Sequence, residues 1–137
     1  MTTTAPRPRT LDLLRADPVR TALRLDAVVT GANGAAYLAA APLLTDLLGV
    51  PSGALRGLSA ALLVFSAGVW LVAARPRVSG AATEVVVGAN LLWAAASVAA
   101  VVTDRFPLTT AGTAWVLLQA AVVAGFAALQ LAALRTR

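Results

Sequence analysis

Four stretches of this chain run for 18 residues or more without a charged side chain: 27–45, 57–74, 85–103 and 106–134. A helix needs about 20 mostly apolar residues to cross the hydrocarbon core of a bilayer. Uncharged runs of this length leave few alternatives, because a soluble domain of this size interrupts its apolar segments with charge every few residues. The composition agrees: 59% of the residues are hydrophobic and 12% are charged, against averages of about 45–50% and about 25% in soluble domains. The predicted fold is all-α, a polytopic membrane four-helix bundle with spans at about 25–47, 55–75, 83–104 and 110–134.

Breaker-rich connections separate the runs. "GVPSG" (49–53), "RPRVSG" (75–80) and "DRFPLTT" (104–110) are short, which favours antiparallel neighbours and two αα-hairpins. Asp17 followed by Pro18 is a helix start, with an N-cap and then proline at the first helical position. Thr109 and Thr110 serve the fourth span in the same way, as do Pro51 and Ser52 for the second. Residues 1–17 are expected to form a disordered or interfacial cytoplasmic N-terminus ahead of a four-helix domain over 18–135. The segment "LDLLRA" (11–16) suits one short interfacial helix. The opening "MTTTAPRPRT" is polar and lacks the pattern of a signal peptide.

The basic residues are all arginine, eleven of them, and they are placed unevenly. Arg7, Arg9, Arg15, Arg20, Arg24, Arg75, Arg77, Arg135 and Arg137 fall on one side of the four spans, and only Arg56 and Arg105 on the other. The positive-inside rule then predicts a multi-pass protein of the cytoplasmic (inner) cell membrane with both termini in the cytoplasm. It also accounts for the net charge of +5 without nucleic acid as a partner. The expected partners are the lipid bilayer, a small lipophilic ligand and a second copy of the chain in a homo-oligomer.

Chemistry has little material to work with. There is no histidine and no cysteine, so the commonest general base and the thiolate metal ligands are absent. No metal site and no cofactor are expected. The acids nearest the cytoplasmic boundary, Asp26 and Glu84, are the candidates for acid–base catalysis; the plainer reading pairs them with Arg24 or Arg77.

Asparagine is costly to bury in lipid, yet "VVTGAN" (28–33) and "VVVGAN" (85–90) each place one inside a span. The two phrases are 57 residues apart. Carried onward, that offset lays "AGVW" (67–70) on "AGFA" (124–127) and predicts a parallel internal repeat, with Asn33 and Asn90 at equal depth. Polar stripes follow helical spacing. Asp26, Thr30, Asn33 and Tyr37 share one face; Thr83, Asn90, Ser97 and Asp104 recur every seven residues; Trp115, Gln119, Phe126 and Gln130 share another face. Polar groups in a membrane turn toward the protein interior, and Gly31 and Gly88 are expected to let the helices close around the asparagines. Asn33, Asn90, Tyr37, Trp93, Gln119 and Gln130 are therefore the candidate ligand-binding residues, with plain interhelical hydrogen bonding as the competing role. Trp70 and Trp115 suit an aromatic belt.

The features "LRLDA" (23–27), Asn90 with Leu92 and Trp93, and "LQLAALR" (129–135) give the chain a resemblance to small bacterial four-helix integral membrane proteins. In size and topology it is similar to DoxX-like membrane proteins. The resemblance implies a fold and no particular activity. Taken together, these features predict a membrane protein that binds a small lipophilic or amphipathic molecule or serves as a membrane partner subunit. Two alternatives stand beside it: a small membrane-embedded enzyme using Asp26 or Glu84, and a proton-coupled small-molecule exporter acting as a homodimer.

Overall fold

The computed structural model describes residues 17–137, so the expectations for residues 1–16 lie outside the described residues. Five helices account for most of them: α1 (Pro18–Ala39), α2 (Ala41–Leu48), α3 (Ser52–Ala74), α4 (Gly80–Val102) and α5 (Thr110–Arg135). No strand occurs among the described residues.

Local chemistry sets the helix ends. Asp17 caps α1 by accepting from the Arg20 backbone N–H at 3.1 Å, with proline in the first turn. Ser79 caps α4 by accepting from Ala82 N–H, and Thr109 caps α5 by accepting from Gly112 N–H. Each supplies an acceptor to one of the first-turn N–H groups that lack an intrahelical partner. Helix α3 starts after Pro51 without a side-chain cap.

Helices α3, α4 and α5 are each long and apolar enough to cross a membrane. The first apolar run differs from the straight span expected over 25–47. It bends by 95° between α1 and α2. The cause is Pro42 in the first turn of α2: proline has no N–H to donate to the preceding turn, and its ring crowds the carbonyl four residues back. Counted as one bent span, α1 and α2 bring the number of possible crossings to four.

Helix α1 packs along α3 and α4 packs along α5; α1 also meets α5, whereas α3 and α4 barely touch. The ends are tied by hydrogen bonds. At one end, Arg20 donates to the carbonyls of Arg75 and Pro76, and Arg137 donates to that of Val78. At the other, Thr109 donates from its backbone N–H to Leu48 O at 3.0 Å and from its hydroxyl to Leu47 O at 2.6 Å. Gly112 is required there, since a methyl group at that position would overlap the Leu48 carbonyl.

Two apolar clusters form the core. One joins Val19, Leu23, Ala27, Val69, Ala73, Val78, Val86 and Ala133. The other joins Tyr37, Ala41, Leu48, Val50, Leu55 and Leu62. The outside is just as apolar: Val64, Leu71, Val85, Leu92 and Val102 are all more than half exposed. In water such a surface would drive association; in hydrocarbon it is at no disadvantage.

Candidate functional site

The polar stripes converge on the interior at two levels. The lower level is built on Asp26, a buried side chain of α1 with no exposed surface. Its Oδ1 accepts from the Thr30 hydroxyl one turn along, at 2.9 Å. Its Oδ2 accepts from Asn90 Nδ2 of α4 and from Gln130 Nε2 of α5, both at 2.7 Å. Asn90 Nδ2 also donates to Gln130 Oε1 at 3.2 Å. One carboxylate thus holds three helices together through short bonds to neutral donors.

The upper level is a relay. Trp115 Nε1 of α5 donates to Tyr37 OH of α1 at 2.7 Å, and Tyr37 OH donates to Gln119 Oε1 at 3.1 Å. Asn33 Nδ2 donates to the same Gln119 oxygen at 3.1 Å. Indole N–H can only donate, which sets the direction: Tyr37 must accept from Trp115 and pass its own proton on to Gln119. Asn33 is then left to present its nitrogen.

Between these levels and the loose α3–α4 seam lies a cavity of about 700 Å³, inside the roughly 300–1,000 Å³ range of small-molecule sites. Helix α1 lines it with Val29, Thr30 and Asn33, and α3 with Ala61, Leu62 and Phe65. Helix α4 contributes Ala89, Asn90, Leu92, Trp93 and Ala96; α5 contributes Trp115, Leu118, Gln119, Val122, Val123 and Phe126. The wall is apolar and aromatic, with a few amides set into it.

Of the candidate binding residues, Asn33, Asn90, Trp93 and Gln119 line this cavity. Tyr37 and Gln130 stand behind it, each bonded to a residue that does. Asp26 likewise sits behind Thr30 and Asn90. Glu84 is exposed and joins neither level; among the described residues it makes no hydrogen bond or ion pair. The expected pairing of the acids with arginine is not found. Arg24 instead lies over the Trp70 ring, 5.7 Å from its centroid, and Asp26 takes amides and a hydroxyl because burial puts it beyond the boundary arginines.

Two further expectations are corrected. The asparagines do not serve one depth. Asn90 bonds Asp26, whereas Asn33 sits seven residues beyond Asp26 on α1, a separation of about 10 Å along a helix. The glycines are not equivalent either. A Cβ at Gly31 would come within 2.7 Å of Ser66 Oγ, while one at Gly88 would meet nothing within 4 Å. Gly31 lets α3 approach α1, where Ser66 donates to Ala27 O at 2.6 Å; Gly88 is on an exposed face of α4.

Trp115, which suits both the membrane belt and the Gln119 stripe, belongs to the stripe: its indole N–H is bonded to Tyr37 and it heads the relay. Phe65 of α3 carried no signal in the sequence, being one aromatic in an apolar run. No family model, curated protein or solved structure matches this chain.

Proposed function

We propose that the protein is a multi-pass protein of the cytoplasmic membrane, with four spans and both termini inside, that binds a small lipophilic or amphipathic molecule between its two helix pairs. The observation that carries this reading is the cavity itself: about 700 Å³, walled by side chains of four helices, with Asn33, Asn90 and Gln119 set among apolar and aromatic groups. A bundle using its amides only as interhelical bonds has no need of a space beside them. The membrane reading is supported by the three long apolar helices and by the large exposed side chains around them. The orientation is supported by the arginines, since Arg20, Arg75 and Arg137 meet at one end while Arg56 and Arg105 fall toward the other.

Catalysis by a pair of acids is less well supported, because Asp26 is fully hydrogen-bonded in the interior and Glu84 is on the outside.

The test is retention. Wild-type protein released from native membrane in a mild detergent should carry a small-molecule adduct in native mass spectrometry. Ala61→Trp, which places an indole in the cavity, should lose the adduct and still purify as a folded, monodisperse protein. Equal adducts in both proteins, or none in the wild type, would overturn the reading.

A further inference from the structure

The polar end of the cavity is backed by a buried carboxyl group that no basic side chain meets. Asp26 is fully buried, and no basic group among the described residues pairs with it. The arginines nearest in sequence are occupied elsewhere: Arg24 over Trp70, and Arg20 on Asp17 and on the carbonyls of Arg75 and Pro76. Thr30, Asn90 and Gln130 all donate to this carboxyl group and it donates to none of them, a pattern to which a nearby positive group is the favourable complement.

The same bonds decide which atoms face the cavity. Asp26 Oδ2 accepts from Asn90 Nδ2, so Asn90 turns its nitrogen toward Asp26. Its Oδ1 is left with no hydrogen bond from a described residue, on a side chain that lines the cavity. The Trp115–Tyr37–Gln119 relay acts on Asn33 in the same way, drawing its nitrogen to Gln119 and leaving its Oδ1 without a donor. Two amide oxygens, a carboxyl group behind one of them that accepts from every neighbour, and the rings of Trp93 and Trp115 all favour a positive head group. A carboxylate head would meet oxygen lone pairs on every side.

We infer that the occupant is a lipophilic amine, its protonated head donating to Asn90 Oδ1 beside Asp26 and its apolar body lying against Phe65, Trp93 and Val122. This rests on the reading that the cavity holds a small molecule. In this arrangement Asp26 touches no ligand and acts as a positioning residue through Asn90.

The test uses three probes with one tail: dodecylamine, dodecanol and dodecanoate. Each is titrated into protein in a neutral maltoside, in a Trp70→Phe background, so that the fluorescence reports Trp93 and Trp115. The expected order of affinity is amine, then alcohol, then carboxylate. In Asp26→Asn the amine-to-alcohol preference should fall by roughly tenfold or more, while dodecanol binding persists; comparing the ratio between proteins cancels partition into the micelle. An unchanged ratio overturns the charge assignment. If Asp26→Asn does not purify, the wild-type order decides, and any other order overturns it. Dodecanol binding without preference for the amine sinks this inference alone, whereas failure of all three probes to bind sinks the cavity reading with it.

Discussion

The two polar levels are built from the same residue types and do different things. The Asp26 level is closed: Asp26, Asn90 and Gln130 are all buried, and the carboxylate draws their donors inward. The Asn33 level is half-open: Asn33 and Gln119 are partly exposed, Trp115 is 37% exposed, and every bond in it is between neutral groups. A buried carboxyl group organises its surroundings because leaving its oxygens without donors is costly. Neutral amides tolerate a space beside them. The cavity is lined by Asn33, Gln119 and Trp115 of the upper level, and by Asn90 and Thr30 of the lower one.

Substitutions at each level test the contrast. Asn90→Leu should have the largest effect, since it removes the bond to buried Asp26 and the bond to Gln130; a loss of about 3 kcal/mol is expected in reversible unfolding from mixed micelles. If it cost less than Asn33→Leu, the distinction between closed and half-open levels would fail.

Gly31→Ala comes next. Its new methyl displaces Ser66 from its bond to Ala27 O, at a cost of about 1.5 kcal/mol. Gly88→Ala should be neutral or stabilising by up to about 1 kcal/mol, because a helix prefers alanine and nothing is in the way. Equal effects at the two glycines would mean that the repeated phrase packs equivalently after all.

Asn33→Leu should cost about 1 kcal/mol, within the range of interhelical amide bonds in membranes. Tyr37→Phe should cost least, about 0.6 kcal/mol by the same measurement. It should also shift the emission of Trp115, whose indole N–H loses its acceptor.

The stripes were legible in the sequence because helical periodicity reports which face a residue occupies, and every member of the α1 stripe finds its bond on that face. Depth was not legible. The phrases around Asn33 and Asn90 match in letters, but the register between α1 and α4 is set by Asp26, which has no counterpart in α4: the offset lands on Thr83. Length and lack of charge revealed the long helices. The break at Ala40 was hidden inside an uncharged run, where Pro42 was the one residue able to disclose it. The cavity was not legible either, since it depends on how little α3 and α4 touch, a property of no single segment.

The bend at Ala40 has a consequence for the membrane as well as for the protein. From 27 to 39, the uncharged part of α1 before the bend has 13 residues, or about 20 Å of helix, against a hydrocarbon thickness of about 30 Å. Helix α2 then turns aside and presents Leu43 and Leu47 outward, with Asp46 also exposed, as a helix lying along the interface would. If α3, α4 and α5 cross a bilayer, the uncharged part of α1 gives this corner less apolar length than theirs, and the expected response is local thinning of the lipid on the α2 side.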